Sequence, residues 1–369
     1  MKKNLWVLVL VALLAMTLAL TGCGNGEDNG EDVDPDDNGE AVDPDDDNDE
    51  DEYVEDFFVG LVTDTGGIDD QSFNQGTWEG IQDFADEYGA ETNYLQSEAD
   101  ADYIPNLSSF ADDQVDLIVA PGFLFEDAIG QVADNFPNQN FLLIDAVVER
   151  DNIVNAIFAE EQGSFLVGVA AALTAQEAGE DTVGYIGGVD FELIQKFEAG
   201  FEAGVWAVDP DMNVLVEYVG DFSDPSTGGS IASIMFDDGA YVIYHAAGGS
   251  GNGMINEAME RRGDGDDVWA IGVDRDQYED GIYDGENSAI LTSMMKRVDV
   301  AAYEVAVMTY EGNFPGGDII EFDLENEGVS LPEENPNLSD DIIAEVQNYI
   351  DQIVSGEIEV PSLPSRLQE

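Results

Sequence analysis

The 369-residue sequence contains a single cysteine, a single histidine and only ten lysine or arginine residues. The lone cysteine, Cys23, excludes an internal disulfide framework. One histidine and one cysteine provide no metal-ligand spacing of these residue types, so we expect neither a metal nor another cofactor. Acidic residues number 82, and the formal net charge of −72 excludes a basic surface for nucleic acid.

The acidic residues are spread over the whole chain. Only 17 of them lie in residues 24–55, and the other 65 lie elsewhere. Hydrophobic residues still make up 44% of the sequence, which is enough for a sizeable core. Carboxylates at this density repel one another in dilute buffer, and salt screens that repulsion. The composition therefore indicates a protein from a salt-loving organism that works in brine.

The first residues are typical of a lipoprotein signal peptide. Lys2 and Lys3 precede an apolar run from Leu5 to Leu20, and Cys23 follows Thr21 and Gly22. This run is too short for a typical transmembrane helix. We predict a signal peptide over residues 1–22 and a lipid on Cys23 that anchors the protein to the cell membrane, facing the extracytoplasmic side. The alternative is an ordinary signal peptide with an incidental cysteine.

Residues 23–56 are predicted to form an acidic, disordered tether. A phrase of the form Asn-Gly-Glu-x-Val-Asp-Pro-Asp-Asp occurs twice in it, and apolar residues are scarce. Such a segment cannot bury enough apolar surface to offset the entropy lost on ordering. Calcium binding is the alternative, but no twelve-residue calcium loop with the required glycine and terminal glutamate is present.

Lysine is rare in the part that follows. Once the signal peptide is removed, Lys196 and Lys296 are the only lysines. In a chain that has replaced almost all of its surface lysines, we expect these two to have fixed partners.

From Phe57 onward, short apolar runs alternate with amphipathic stretches, which predicts βαβ units and parallel sheets. Strands are predicted at Phe57–Thr63, Thr92–Gln96, Asp116–Ala120, Phe141–Ile144, Val154–Phe158, Thr182–Ile186, Val214–Tyr218, Tyr241–His245, Trp269–Val273 and Ile319–Phe322. About 310 residues exceed one typical core, so two α/β lobes are expected. The predicted first lobe is 57–159 with a return segment at about 290–330, the second is 160–289, and 331–369 is an extension with one helix. This is the architecture of a periplasmic binding protein, which closes on its ligand by hinge motion.

The stretch from Phe57 to Gln75 predicts a ligand site. A buried strand ends at Asp64, a Gly-Gly turn follows, and a helix begins near Ser72. Ligands of α/β lobes bind beyond the carboxyl ends of the strands. Asp64, Asp70, Phe73 and Asn74 are therefore candidate ligand residues. An aromatic ring among carboxylates suits a polar ring compound better than a phosphate, which the carboxylates would repel.

Other strand ends carry further candidates, each with a structural alternative. Phe222 lies between two aspartates and is either a lid over the cleft or a packing residue of its turn. The glycines around Gly249 form either a simple turn or a row of backbone N–H groups for hydroxyl oxygens. His245 ends an apolar run, which favours a structural or cleft-lining role over catalysis.

Five further segments of the sequence carry motifs at or near the predicted strand ends. They are Glu161–Gly168, Gly220–Pro225, His245–Gly253, Gly272–Gln277 and Thr292–Asp299. In this order, and over about residues 57 to 330, they resemble the basic membrane protein family of bacterial lipoproteins, which includes the purine nucleoside receptor A type. The resemblance implies a type I periplasmic-binding-protein fold and a solute-binding protein that works with the permease and ATPase of an ABC importer.

The resemblance also implies roles for individual residues. The two phenylalanines that sandwich the base in that subgroup match Phe73 and Phe222. The groups that bind the base edge match Asp64, Asp70 and Asp127. The groups that bind the ribose match Gly249, Asp274 and Lys296. We further expect Lys296 to neutralise Asp274, so that no bare charge remains in the closed cleft.

Three other interpretations remain open at this stage. The same fold serves sensor or signalling lipoproteins that have no permease. The second interpretation concerns the ligand, which would be another small polar solute such as a sugar or an autoinducer. A nucleoside hydrolase is the third interpretation, but no nucleophile–base arrangement is apparent, so we expect a binding protein and not an enzyme. We expect a monomer.

Overall fold

The computed structural model describes residues 57–368. The predicted signal peptide, the lipid on Cys23 and the acidic tether lie outside these residues. Within them, no helix combines the length and the apolar composition needed to cross a bilayer.

The described residues contain strands of two to seven residues. In chain order they are β1 Phe58–Val62, β2 Glu91–Leu95, β3 Leu117–Pro121, β4 Phe141–Ile144, β5 Ile153–Phe158, β6 Thr182–Gly187, β7 Asn213–Tyr218, β8 Val242–Ala246, β9 Trp269–Asp274, β10 Ile282–Asp284, β11 Asn287–Ser288, β12 Ile290–Lys296, β13 Ile319–Phe322 and β14 Val329–Ser330.

Helices connect most of these strands. In chain order they are α1 Phe73–Tyr88, α2 Tyr103–Asp112, α3 Glu126–Asn135, α4 Glu160–Ala178, α5 Glu192–Val208, α6 Pro225–Asp237, α7 Gly251–Asp264, α8 Val298–Tyr310 and α9 Asp340–Val354.

Twelve of these strands form two six-stranded sheets, one in each lobe, and β10 and β11 form a separate antiparallel pair. The first sheet has the order β13-β5-β4-β3-β1-β2, and all of its pairs are parallel. The second has the order β14-β12-β9-β8-β6-β7, and only its short edge strand β14 is antiparallel. The central strands β3, β4 and β8 are buried along their whole length, as continuous apolar runs covered by helices on both faces should be. The predicted α/β fold class is confirmed.

The strand that leads to Lys296 was expected to return to the first lobe, and this expectation was wrong. Strand β12 pairs with β9 on one side and β14 on the other, so it belongs to the second sheet. Its residues Ile290–Met294 are all buried, which requires a position inside the sheet with both faces covered. The chain returns to the first lobe one element later, at α8. This helix packs against α1, and the next strand, β13, pairs with β5.

Close helix packing fixes α8 on the first lobe. A Cβ atom at Gly80 of α1 would lie 2.1 Å from the carbonyl oxygen of Asp299, so only glycine permits this approach. The last helix, α9, packs on α4, and the hydroxyl oxygen of Ser339 caps it by accepting the N–H of Ile342 at 3.3 Å. The chain thus crosses between the lobes at β5–α4, β12–α8 and β13–β14, and the carboxyl ends of both sheets border one cleft.

Candidate functional site

A cavity lies between the two lobes, where the carboxyl ends of the strands meet. It encloses about 570 Å³ of space not filled by protein atoms, its open mouth included. Every predicted ligand residue except Asp127 lines it. These residues are Asp64, Asp70, Phe73, Asn74, Phe222, Gly249, Asp274 and Lys296.

Asp127 does not reach the cavity, contrary to its expected place at the ligand. It is exposed in the first turn of α3, beside Asp190 and Phe191 of the other lobe. Gly122, at φ +119°, and the 3-10 turn that follows direct Phe123 into the cavity instead. The helix then begins with its acidic first turn facing solvent.

The first loop is organised by Asp70 and Asn74. One oxygen of Asp70 accepts the backbone N–H groups of Ser72 and Gln75, and the other accepts the backbone and side-chain N–H groups of Asn74. The side-chain oxygen of Asn74 accepts the backbone N–H of Asp64 at 3.2 Å. Asp70 therefore caps α1, and Asn74 links it to the end of β1. Both residues line the cavity, but their polar atoms already have protein partners.

Asp64 presents the free acceptor of this loop. Its Oδ1 accepts the backbone N–H of Gly66 and an N–H of the Asn74 side chain, both at 2.8 Å. Within residues 57–368, no group donates a hydrogen bond to Oδ2. Burial raises the pKa of Asp64 to about 6, although the bonds from Asn74 and Gly66 act in the opposite direction. The bonds to Oδ1 thus fix the Asp64 carboxylate at the cavity and leave Oδ2 free to accept a hydrogen bond.

Asp145 is a cavity residue that the sequence analysis missed. It ends β4 as Asp274 ends β9, and both have left-handed backbones, at φ +69° and +67°. Oδ1 of Asp145 is buried and has no hydrogen-bond donor among the described residues. Asp274 accepts a short hydrogen bond from the hydroxyl of Ser72, across the cleft. Each lobe therefore contributes one strained aspartate to the same side of the cavity.

Burial raises the pKa of both aspartates. The pKa of Asp145 rises to about 6 and that of Asp274 to about 7, although the positive charge of Lys296 acts in the opposite direction on both. Both pKa values therefore lie near neutral pH, where small changes in pH alter the protonation of these carboxyl groups.

Lys296 is buried at the carboxyl end of β12, with 1% of its side chain exposed. Its Nζ donates to Oδ2 of Asp145 at 2.6 Å and to Oε1 of Glu160 at 3.1 Å. The expected direct pair with Asp274 is not formed, because the ammonium group turns toward these two carboxylates. Burial lowers the pKa of Lys296, but the negative charges of Asp145 and Glu160 raise it by more. The pKa of Lys296 therefore lies above its ordinary value.

Glu160 connects the two lysines. It is fully buried at the start of α4, and its second oxygen accepts from Nζ of Lys196 at 3.2 Å. The expectation that Lys196 and Lys296 have fixed partners is confirmed, and they share one. Glu160 escaped the sequence analysis because its two partners are 36 and 136 residues away in the chain. The scarcity of lysine indicated that a partner exists but not which carboxylate it is.

The apolar walls of the cavity include four phenylalanines, which are Phe73, Phe123, Phe197 and Phe222. Phe73 begins α1 in the first lobe, Phe222 follows β7 in the second, and Phe123 was not predicted. The ring of Phe222 occupies the space that a side chain at Gly188 would need, since a Cβ there would lie 2.2 Å from the ring. Phe222 thus both packs in its turn and lines the cavity, so the two alternatives for this residue are not exclusive.

His245 has a structural environment. It is fully buried and does not line the cavity; its Nε2 pairs with Oε1 of Gln277 at 3.1 Å. Since that oxygen also accepts the backbone N–H of Val273, Nε2 is the protonated nitrogen of His245. Burial lowers the pKa of His245 to about 4, so the ring is neutral at physiological pH.

The first loop also contacts the second lobe directly. The side-chain amides of Gln277 and Asn252 donate to the backbone carbonyls of Gln71 and Asp70, at 2.9 and 3.0 Å. With the bond from Ser72 to Asp274, these contacts hold the lobes together across the cleft. The structure is therefore that of a closed cleft.

Two α/β lobes closed on an aromatic, carboxylate-lined cavity define a two-lobed solute-binding protein. Residues 57–364 match the family model described as "ABC transporter substrate-binding protein PnrA-like". The chain belongs to this family, which confirms the resemblance seen in the sequence.

Individual relatives are similar over most of the chain. The "CD4+ T-cell-stimulating antigen" of Listeria innocua is 41% identical over 99% of this chain and 100% of its own length. The "ABC transporter nucleoside-binding protein BmpA" of Lactococcus lactis is 37% identical over 83% of this chain and 90% of its own. A crystal structure of ABC transporter solute-binding proteins from Aeropyrum pernix has a TM-score of 0.74 at 28% identity, covering 83% of this chain and 94% of that one.

Family membership settles the general function. The chain is an extracytoplasmic substrate-binding protein of an ABC transporter, and members of the family are binding proteins, not enzymes. The hydrolase interpretation is therefore wrong.

Proposed function

We propose that this protein binds purine nucleosides and delivers them to an ABC importer, anchored to the membrane by a lipid on Cys23 and the acidic tether. The observation that carries the proposal is the combination of phenylalanines from opposite lobes with carboxylate oxygens that lack protein donors. The name of the Lactococcus lactis relative, which describes nucleoside binding, supports it.

The base fits between the aromatic walls. Phe73 and Phe222 line the cavity from opposite lobes, and in this proposal the base stacks between them, an interaction that tolerates any base. Oδ2 of Asp64 then accepts an N–H from the base edge, such as the N6 amino group of adenine or the N2 amino group of guanine. Since the polar atoms of Asp70 and Asn74 are already bonded, the first loop selects bases whose edge donates.

The ribose fits between the two strained aspartates. Oδ1 of Asp145 and the carboxylate of Asp274 are acceptors for hydroxyl groups, and Lys296 compensates part of their charge. The cavity keeps more carboxylates than cations, because Asp64 and Asp70 also line it. A neutral nucleoside is tolerated there, whereas the phosphate of a nucleotide is repelled.

The ligand that co-purifies with the protein tests this proposal. Protein isolated without denaturation in molar salt, then denatured, should release a purine nucleoside that mass spectrometry identifies. Release of a sugar or another polar solute instead would replace the ligand class while leaving the fold. Genes for a permease and an ATPase beside this one distinguish the importer from the sensor alternative.

Replacing Phe222 with alanine should weaken guanosine binding about tenfold to a hundredfold. The change removes one stacking face, which is worth roughly 1–3 kcal/mol. Calorimetry in molar salt measures the affinity. Tyr94→Ala is the control, since Tyr94 is a partly exposed aromatic residue of β2 outside the cavity. Equal affinities of the Phe222→Ala variant and the wild type would remove Phe222 from the site.

Guanosine affinity should fall as the pH is lowered from 8 to 5. Over this range Asp64, Asp145 and Asp274 take up protons, because burial raises their pKa values to between about 6 and 7. The loss should approach roughly tenfold per pH unit for each acceptor below its pKa.

The stability of the ligand-free protein should change in the opposite direction. A folded-state pKa above the unfolded value means that the folded state binds more protons, so the free energy of unfolding rises as the pH falls from 8 to 5. Calorimetric binding and thermal melts over the same pH series measure both trends. An affinity that is flat, or a stability that falls in parallel with it, would contradict the proposed acceptors.

A further inference from the structure

Two phenylalanine rings meet across the mouth of the cleft. Phe123 lies in the 3-10 turn after β3 of the first lobe, and Phe191 directly precedes α5 of the second. Their rings stack with centroids 4.5 Å apart and planes inclined by 6°. Phe191 remains 46% exposed, so the outer side of its ring faces solvent.

Core packing does not explain this pair. Neither ring belongs to the three apolar clusters described for residues 57–368. Phe123 lines the cavity and meets Phe222 edge to face at 6.3 Å, whereas Phe191 lies outside the cavity. Three rings therefore run from the surface to the ligand space. Both contacts between them span the two lobes, because Phe123 belongs to the first lobe and Phe191 and Phe222 belong to the second.

The loop that carries Phe191 is firmly held. The carboxylate of the preceding residue, Asp190, accepts from Nη2 of Arg366 at 2.6 Å and from Nε2 of Gln195 at 2.7 Å. Arg366 belongs to the C-terminal tail and also binds the fully buried Glu198. The tail thus holds Asp190, the residue that precedes Phe191, within the second lobe.

We propose that Phe123 and Phe191 form an aromatic clasp that holds the closed lobes together and slows the escape of ligand. When the lobes separate, both facing rings become exposed to water, and closure restores their stacking and burial. The clasp touches the ligand only through Phe123, so Phe191 acts as a positioning residue. The clasp deepens the proposed nucleoside function and rests on it for the choice of ligand, but its effect on closure exists without ligand.

Dissociation kinetics provide the first test. In the Phe191→Ala variant, guanosine should dissociate roughly two- to tenfold faster than from the wild type, as expected for the loss of one aromatic pair. The association rate should change little, and Phe191→Tyr should restore slow release. Ile234→Ala is the matched control, because Ile234 is an exposed apolar residue of the same lobe outside the cavity.

The separation of the lobes without ligand provides the second test. Spin labels on Gln131→Cys of α3 and Ser226→Cys of α6, both exposed and in different lobes, report the opening by pulsed electron paramagnetic resonance. The chain carries Cys23→Ser so that no other thiol is labelled. Phe191→Ala should shift the distances in the ligand-free protein to longer values, and Phe191→Tyr should not.

The two tests separate the clasp from the nucleoside proposal. Longer distances in Phe191→Ala, in a protein that does not bind guanosine, would support the clasp and refute the ligand. Distances in Phe191→Ala that match those of the wild type would overturn the clasp. Normal guanosine binding with an unchanged dissociation rate in Phe191→Ala would overturn it as well.

Discussion

Replacing Lys296 with methionine should weaken guanosine binding about a hundredfold or more and lower the free energy of unfolding by about 4 kcal/mol. The reason is that Asp145 and Glu160 both lose their buried cation, and each would keep a negative charge away from water. A buried pair contributes little net stability, but removal of one partner leaves an uncompensated charge. The affinity should fall about a hundredfold or more, because the same ammonium group compensates the acceptors that face the ligand.

Lys196→Met is the matched control for this variant. It removes the other cation of Glu160, but Lys196 is partly exposed and does not line the cavity. Its effect on binding and stability should be clearly smaller. Adding Asp145→Asn and Glu160→Gln to Lys296→Met should recover part of the lost stability without restoring binding. If Lys296→Met were as stable as the wild type and bound guanosine equally well, the buried ion network would have no such role.

The second large effect should be the response to salt. The melting temperature should rise by roughly 10 °C or more between dilute buffer and molar sodium chloride, which corresponds to a few kcal/mol. Each lysine and arginine among the described residues already has a carboxylate within ion-pair distance. The remaining carboxylates, in a chain of formal net charge −72, have only salt to screen their repulsion.

Sucrose distinguishes charge screening from general stabilisation by solutes. It is excluded from protein surfaces and strengthens burial but does not screen charge. At matched osmolality it should raise the melting temperature much less than sodium chloride does. A melting temperature independent of salt would refute the interpretation of the composition as an adaptation to brine.

The fold was largely predictable because its signals are local. Strand Phe141–Ile144 and strand Ile319–Phe322 have the predicted bounds, since each is a short apolar segment between polar turns. The sheet that a strand joins is a different matter. The sequence of a strand such as Ile290–Met294 does not specify which strands lie beside it, which is why its lobe was predicted wrongly.

The site residues were predictable where they lie at the carboxyl ends of strands. Asp64 was found in this way, whereas Asp274 was implied by the family resemblance. The same strand-end rule applied to β4 would have found Asp145. Pairings over long sequence distances were not accessible, as the shared partner Glu160 shows. Sequence also does not distinguish a carboxylate that caps a helix, such as Asp70, from one that faces a ligand.

Titration calorimetry of the wild-type protein with nucleosides in molar salt tests the central proposal most directly. Guanosine, adenosine, inosine and cytidine form the panel, with guanosine monophosphate as the charged control. The aromatic walls, the free oxygen of Asp64 and the paired aspartates at the ribose predict saturable binding of the purine nucleosides at one site per chain. The negative cavity predicts no binding of the nucleotide. The absence of heat with every purine nucleoside, from protein freed of any co-purified ligand, would contradict the proposed ligand class.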